Sequence, residues 1–261
     1  MARSAATWDA AQYLRFGNER LRPALDLLAQ IPLAAPSRVV DLGCGPGNVT
    51  AILEHRFPDA DIVGVDGSAA MLAKARTAAA KCTFEQADFF QWQPRHKLDL
   101  IYSNAALQWV DRHSTLFPRL LSFLAPGGVL AVQMPNMLAT PLHQVSRQLT
   151  ASDEWSQELG DVIPQPGILP ATDYWDMLRH QVESLEMWQT TYMHALQGEN
   201  AVMEWASGSS LRPYLDRLAV ERKTKFQQAY ADAVQPHYPR RPDGTTLLPF
   251  HRLFVVARMA A

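Results

Sequence analysis

A glycine-rich segment directly after a short apolar run constrains the fold of this chain more than any other feature. The apolar run is Val39–Leu42, and glycines follow at Gly43, Gly45 and Gly47. Glycine allows positive φ angles and lets the backbone approach a ligand closely. A strand that leads through such a turn into a helix is typical of nucleotide-binding α/β folds. The segment therefore predicts a ligand site at the end of a parallel strand.

The sequence around this turn alternates short apolar runs with helix-like stretches from Arg38 to Met134. Such alternation is typical of parallel strands joined by crossover helices. The runs predicted as strands are Val39–Leu42, Ile62–Val65, Cys82–Glu85, Leu98–Tyr102 and Val129–Val132. Ser68 is a predicted N-cap for a helix that carries Met71 and Ala75 at helical spacing. An α/β fold follows from this pattern.

After Met134 the rhythm changes, because prolines interrupt stretches of mixed helical character. Strand-like sequence returns at Trp188–Met193 and at Arg252–Ala257, with a helical stretch of about Asn200–Val234 between them. We predict that two insertions pack together as a largely helical cap. The predicted core comprises residues 1–134, 187–197 and 250–261, and the predicted cap comprises residues 135–186 and 198–249.

Composition excludes several classes of protein. The 24 Lys and Arg residues nearly balance the 26 Asp and Glu residues, which argues against a nucleic-acid binder. Hydrophobic residues make up 48% of the chain and charged ones 19%, which is typical of a globular protein. Only Cys44 and Cys82 could form a disulfide, and no histidines share a metal-ligand spacing, so we expect a cytoplasmic protein without a bound metal. No run approaches the 18 apolar residues of a membrane span.

An acidic residue, Asp66, ends the second predicted strand about 20 residues beyond the glycine turn. A carboxylate there can accept hydrogen bonds from both hydroxyls of a ribose. Folds that bind NAD and folds that bind S-adenosylmethionine share this feature. Asn48 occupies the position where a dinucleotide-binding turn would have its third glycine, which weakens the NAD interpretation.

Three further segments indicate which of these two cofactors the chain binds. They are Gln86–Phe89 after the third strand, Ser103–Trp109 after the fourth and Leu124–Gly128 before the fifth. With the glycine turn and Asp66, these segments resemble the ordered motifs of the class I S-adenosylmethionine-dependent methyltransferases, over about residues 18–134. The resemblance implies a Rossmann-like class I methyltransferase fold, a seven-stranded mostly parallel sheet with helices on both faces.

The same resemblance implies S-adenosyl-L-methionine as the cofactor and S-adenosyl-L-homocysteine as the product. Its motifs indicate which positions would bind the cofactor. The candidates are, for the methionine part, Gly43 and Gly45; for the ribose, Asp66; for the adenine, Met71, Ala87 and Asp88; for the sulfonium, Asn104; and, around them, Asp41, Gly67, Ser68, Phe89 and Ala105.

Several stretches along almost the whole chain, predicted cap included, resemble one subfamily, the trans-aconitate 2-methyltransferases. They include Leu130–Pro135, Gly208–Leu215 and the segment from Tyr238 to Val256. The sequence of Ser103–Trp109 also resembles that of malonyl-carrier-protein methyltransferases, so a carrier-bound acyl group is an alternative substrate. A non-catalytic S-adenosylmethionine-binding module is a second alternative, and a NAD-dependent oxidoreductase is the weakest.

Methylation of a carboxylate sets simple demands on the protein. A carboxylate is ionised at neutral pH, so we predict no general base, and catalysis by positioning and removal of water. Arginine suits the remaining carboxylates of the substrate because its planar fork pairs with them bidentately. The substrate-binding candidates are Tyr13, Arg20, Arg22, Trp109, His143, Arg147, Arg240 and Arg241. The expected partner is a small polycarboxylate, with no nucleic acid, membrane or obligate protein partner.

Overall fold

A computed structural model describes residues 21–162 and 168–261 of the chain. These residues divide into two compact units. The sheet unit comprises residues 21–134, 168–189 and Leu253–Ala261, and the helical unit comprises residues 135–162 and Thr190–Arg252. Each unit has its own buried apolar cluster.

The central feature of the fold is one seven-stranded sheet in the order β3-β2-β1-β4-β5-β7-β6. Its strands are β1 (Arg38–Leu42), β2 (Asp61–Asp66), β3 (Thr83–Gln86), β4 (Leu98–Asn104), β5 (Leu124–Pro135), β6 (Ser184–Leu196) and β7 (Thr246–Arg258). β1 pairs in parallel with β2 and β4, and the parallel pairing continues to β3 on one side and β5 on the other. The carboxyl ends of β1 to β4 therefore meet at one edge of the sheet.

β7 is the strand that runs against its neighbours. The Gly127 amide donates to the Ala260 carbonyl at 2.8 Å, and the Asn136 amide donates to the His251 carbonyl at 2.8 Å, an ordering that requires β5 and β7 to be antiparallel. β6 and β7 form an antiparallel pair, closed at one end by a 2.9 Å bond from the Glu183 amide to the Arg258 carbonyl. The sheet is thus mostly parallel, and the predicted Rossmann-like class I methyltransferase fold is confirmed.

Strands β1 to β5 overlap the runs predicted as strands. Long buried runs occur in β1, β4 and β5, whereas β3 at the edge of the sheet is largely exposed. In β1, Val39, Val40 and Leu42 are fully buried, as parallel strands covered on both faces require. The helices of the sheet unit are α1 (Arg22–Ala29), α2 (Asn48–Arg56), α3 (Ala69–Ala78), α4 (His113–Ser122) and α7 (Ala171–Leu178). The hydroxyl of Ser68 accepts a 3.4 Å hydrogen bond from the Met71 amide, so the predicted N-cap of α3 is confirmed.

Part of the predicted cap belongs instead to the sheet unit, which corrects the range 135–186. Residues 168–186 lie in the sheet unit because α7 packs on α4. The hydroxyl of Tyr174 lies 2.6 Å from His113 Nδ1, and the Tyr174 ring lies 5.0 Å from the Phe117 ring. Tyr174 and Leu178 are fully buried there. The burial of these apolar side chains explains why α7 belongs to the sheet unit.

The predicted core segments 187–197 and 250–261 also need correction. β6 and β7 are 13 residues long, and their portions 190–196 and 246–252 lie in the helical unit. Leu248 is fully buried in the apolar cluster of that unit, and Leu196 and Phe250 pack against it. Each of these two strands therefore contributes residues to both units.

The helical unit is built around a second apolar cluster. Its helices are α5 (Pro141–Thr150), α6 (Ser156–Leu159), α8 (Ala201–Ser207), α9 (Arg212–Leu215) and α10 (Val220–Val234). The Trp155 and Phe226 rings meet edge to face at 5.0 Å, and the Arg222 guanidinium lies 4.0 Å from the Trp155 ring centre. Arg222 also pairs with Glu154 and Glu158, which joins α10 to the segment around α6. The predicted helical stretch Asn200–Val234 is therefore three helices.

Candidate functional site

The glycine turn lies at the carboxyl end of β1, where the strand order reverses between β1 and β4. Ligands of open α/β sheets bind at this switch point. Gly43 has φ of +83°, and a Cβ atom there would lie 2.1 Å from the Ala106 Cβ. Gly45 has φ of +54°, and a Cβ atom there would meet nothing within 4 Å. The turn thus packs tightly at Gly43 and is open at Gly45.

Asp66 fixes the turn in place. Its Oδ2 accepts a 2.9 Å hydrogen bond from the Gly45 amide, and its Oδ1 accepts a 2.8 Å bond from the Ser68 amide. Both carboxylate oxygens therefore accept hydrogen bonds from backbone amides, contacts that the sequence does not predict. Each oxygen retains a further lone-pair site, so the side chain can still accept hydrogen bonds from a ribose.

Asp41 stabilises the turn from inside. Its carboxyl is 1% exposed and accepts a 2.6 Å hydrogen bond from Thr50 Oγ1 in α2. The pKa of Asp41 is raised to about 7, mainly by burial; the Thr50 bond opposes the rise, and the nearby Asp66 carboxylate adds to it. The buried side chain of Asp41 therefore positions the turn, and its predicted contact with the cofactor stays a prediction.

The segments after β2 and β3 are joined by short bonds. Gln86 Nε2 donates to the Gly67 carbonyl at 3.1 Å, and the Ala87 amide donates to the Asp66 carbonyl at 3.2 Å. Met71, predicted to lie beside the adenine, is 39% exposed, which is unusual for a core methionine. These residues therefore line the same edge of the sheet as Asp66.

Asp88 and Phe89 follow directly in the β3 loop. Asp88 is exposed, and its Oδ1 accepts a 2.8 Å hydrogen bond from the Phe90 amide. The ring of Phe89 would lie 3.3 Å from a Cβ atom at Gly43, so the β3 loop reaches the glycine turn. The exposed Asp88 carboxylate is available to an adenine amino group.

Asn104 and Ala105 complete the edge at the end of β4. The Oδ1 atom of Asn104 is buried and has no hydrogen-bond partner among residues 21–162 and 168–261. Ala105 has φ of +53°, and its amide donates to the Gln133 carbonyl at 2.9 Å. A strained residue beside an unsatisfied carbonyl oxygen is typical of a ligand site.

Trp109 ends the short 3₁₀ helix Leu107–Trp109 after β4. Its side chain is 47% exposed, so it does not belong to the apolar core.

Cys44 in the glycine turn is buried, and burial together with the neighbouring Asp41 carboxyl raises the pKa of its thiol. Cys44 is therefore a small structural residue of the turn, not an activated nucleophile.

Two substrate-binding candidates lie on α5 of the helical unit. His143 is 1% exposed, and its Nδ1 atom has no hydrogen-bond partner in the described part of the chain. Burial lowers the pKa of His143 to about 4, and the positive charge of Arg147 contributes. Arg147 itself is exposed, and its guanidinium donates a 2.8 Å hydrogen bond to the Leu138 carbonyl.

The remaining arginine candidates lie elsewhere. Arg240 is exposed and donates from Nε to the Gly244 carbonyl at 3.0 Å, which folds it onto its own loop. Arg241 is exposed in the same loop, and Arg22 on α1 lies 4.0 Å from Asp26. Tyr13 and Arg20 lie outside the described residues.

Three buried polar residues of the helical unit are not among the site residues predicted from sequence. Ser146 lies on α5, and Ser210 and Tyr214 lie in or just before α9; each is at least 94% buried. The Gly208–Leu215 segment carries part of the family resemblance. Sequence spacing alone does not distinguish a functional buried serine or tyrosine from an ordinary core residue. Within the described ranges, no cluster of possible metal ligands occurs, and no helix is both long and apolar enough to cross a membrane.

Comparisons with known proteins agree with this geometry. A family model described as "Methyltransferase domain" matches residues 39–128. The chain is 47% identical to the trans-aconitate 2-methyltransferase of Methylobacterium radiotolerans over 98% of this chain and 100% of that protein.

Solved structures share the fold at low sequence identity. YcgJ from Bacillus subtilis matches with a TM-score of 0.60 and 13% identity over 92% of this chain and 98% of its own. A phosphoethanolamine N-methyltransferase of Haemonchus contortus, solved with S-adenosylhomocysteine, matches with a TM-score of 0.56 and 16% identity. That match covers 92% of this chain and 52% of the Haemonchus protein. Given the sequence identity over nearly its full length, the chain belongs to the trans-aconitate 2-methyltransferase family.

Proposed function

We propose that this protein transfers a methyl group from S-adenosyl-L-methionine to a carboxylate of trans-aconitate, giving the monomethyl ester and S-adenosyl-L-homocysteine. The observation that carries the proposal is 47% identity to a trans-aconitate 2-methyltransferase over 98% of this chain and 100% of that protein, helical unit included. Since the fold alone hosts many activities, agreement outside the sheet unit is what favours this substrate.

The residues at the carboxyl edge of the sheet fit the cofactor. Open space at Gly45 admits the methionine part, and the remaining lone pairs of Asp66 suit ribose hydroxyls. The unsatisfied oxygen of Asn104 can accept a hydrogen bond or face a positive sulfonium. When bound, the cofactor supplies an electrophilic methyl group. The proposed cofactor site also includes Gly43, Gly67, Ser68, Met71, Ala87, Asp88, Phe89 and Ala105.

The chain has to position the acceptor oxygen and remove its water. A carboxylate with an ordinary pKa of about 4 is already ionised, so no residue is required as a general base. Holding two reactants in line contributes up to about 7–11 kcal/mol in favourable cases. We assign this positioning to charged and polar side chains, with no catalytic group that enters the chemistry.

Six side chains are proposed to contact the acid. They are Tyr13, Arg20, Trp109, His143, Arg147 and Arg240. Because the pKa of His143 is lowered to about 4, its ring is neutral at pH 7 and acts through hydrogen bonds, not charge. The exposed face of Trp109 suits the planar carbon skeleton of a conjugated acid.

We also propose that the protein works in the cytoplasm on a small molecule without an obligate protein partner. Cys44 and Cys82 are both free thiols, which supports a reducing compartment. The matched relative, named for a small-molecule substrate, supports the same reading.

The test is transfer of a labelled methyl group from S-adenosylmethionine to equal concentrations of trans-aconitate, cis-aconitate, citrate, isocitrate and a malonyl-loaded carrier protein. The proposal predicts that most label enters trans-aconitate. Label in the carrier protein alone would instead assign the activity to acyl-carrier chemistry. Cofactor binding without any transfer would indicate a non-catalytic module.

A further inference from the structure

Three buried polar side chains of the helical unit carry an atom without a hydrogen bond of good geometry in the described part of the chain. These atoms are His143 Nδ1, Ser210 Oγ and the Tyr214 hydroxyl oxygen. The three residues are 1%, 6% and 0% exposed. Folded proteins contain few such atoms, and each one calls for a physical explanation.

Two of these residues belong to one cluster, which we name the α5 polar cluster: His143, Ser146, Arg147 and Tyr214. On α5, His143 is followed at three and four residues by Ser146 and Arg147, so the three side chains share one face of the helix. Burial raises the pKa of Tyr214, while the Ser146 side chain and the Arg147 charge oppose that rise. The same Arg147 charge adds to the lowering of the His143 pKa by burial. Tyr214 therefore reaches this face of α5 from α9.

The donors of the cluster suit a carboxylate. A tyrosine hydroxyl, a neutral imidazole and a guanidinium all supply N–H or O–H groups, and a carboxylate offers about four acceptor sites. Arg147 provides one positive charge, which matches a single carboxylate. The enclosure of Tyr214 and His143 would also exclude water from a bound anion, which strengthens each hydrogen bond.

We infer that the α5 polar cluster holds a carboxylate of the substrate that is not methylated, with Tyr214 and His143 as hydrogen-bond donors and Arg147 as the counter-charge. The inference rests on the proposed function, since it assumes a polycarboxylate substrate. It assigns Tyr214 and Ser146 a role in specificity.

The decisive variant is Tyr214→Phe, which removes only the hydroxyl and keeps the ring in the apolar cluster. The matched control is Tyr230→Phe. Tyr230 is equally buried in that cluster, but its hydroxyl donates a 2.9 Å hydrogen bond to the Leu142 carbonyl. A second variant, Arg147→Gln, alters an exposed side chain and so leaves the fold intact.

Calorimetric titration with trans-aconitate, on protein saturated with S-adenosylhomocysteine, separates the outcomes. We expect Tyr214→Phe and Arg147→Gln each to weaken trans-aconitate binding by about tenfold or more, while their S-adenosylhomocysteine affinity stays as in the wild type. The unfolding midpoint of Tyr214→Phe should fall less than that of Tyr230→Phe, whereas Tyr230→Phe should bind trans-aconitate within about twofold of the wild type.

Wild-type trans-aconitate affinity in both Tyr214→Phe and Arg147→Gln would overturn the inference and leave the proposed function standing. Failure of the wild-type protein to bind any of trans-aconitate, cis-aconitate or citrate would overturn the proposed function and the inference together.

Discussion

Replacing Asp66 with asparagine tests the construction of the cofactor site most sharply. In the wild type, one carboxylate oxygen binds the Gly45 amide and the other binds the Ser68 amide. Asparagine keeps one oxygen, but it presents its NH₂ group to the other backbone N–H. The Asp66→Asn variant therefore loses one charge-assisted hydrogen bond and places two donors face to face.

The expected magnitude follows from these two bonds. A hydrogen bond to a charged group contributes about 1.5–3 kcal/mol, and partial exposure of Asp66 reduces this to about 1–2 kcal/mol for the empty protein. A domain of this size loses about 2–4 °C of unfolding midpoint per kcal/mol, so we expect a fall of about 2–8 °C. Loss of a charged acceptor for the ribose should weaken cofactor binding by about 10–150-fold.

Two measurements on purified protein check this prediction: thermal unfolding without ligand, and calorimetric titration with S-adenosylhomocysteine. Asp61→Asn is the matched control, because Asp61 is an exposed carboxylate at the opposite end of β2. It should leave both quantities near the wild-type values. The reasoning is refuted if Asp66→Asn unfolds at the wild-type temperature and binds S-adenosylhomocysteine with wild-type affinity.

Three further predictions, on four substitutions, follow from the same edge of the sheet. Since the folded-state pKa of Asp41 is raised from 3.8 to about 7, the folded protein binds more protons than the unfolded chain between those values, and stability falls as pH rises through that interval. Asp41→Asn should remove this loss, a gain of up to about 4 kcal/mol at pH 8 by urea denaturation; parallel pH profiles for the two proteins would contradict it. Gly43→Ala should destabilise the protein by about 2 kcal/mol or more, since its Cβ would overlap Ala106, whereas Gly45→Ala should cost less stability, and equal losses in urea would contradict the packing argument. Trp109→Ala should raise the KM for trans-aconitate several-fold with an unfolding midpoint lowered by less than about 3 °C, because Trp109 is 47% exposed; an unchanged KM would remove it from the site.

The carboxyl edge of the sheet could be predicted from sequence because its signals are local. A glycine turn, a capping serine at position 68 and an acidic residue at the end of β2 each follow from the chemistry of a few neighbouring residues. Sequence could not show that both oxygens of Asp66 already bind backbone, or that Asp41 faces inward, since both depend on contacts between distant segments.

The boundary between the two units was harder to predict for the same reason. Residues 168–186 follow the proline-rich stretch of the predicted cap, yet the burial of Tyr174 against Phe117 places α7 in the sheet unit. Similarly, the sequence does not distinguish Tyr214 from an ordinary core residue. Only the position of its hydroxyl beside Ser146 and Arg147 distinguishes it from Tyr230.

The central claim is that the chain converts trans-aconitate to its methyl ester by a single direct transfer. Mass spectrometry of the acid, together with measurement of S-adenosylhomocysteine in the same reaction, tests this most directly. The account predicts one S-adenosylhomocysteine for each monomethyl ester of trans-aconitate. Failure to form the ester in the presence of bound cofactor, or S-adenosylhomocysteine formed without ester, would contradict it.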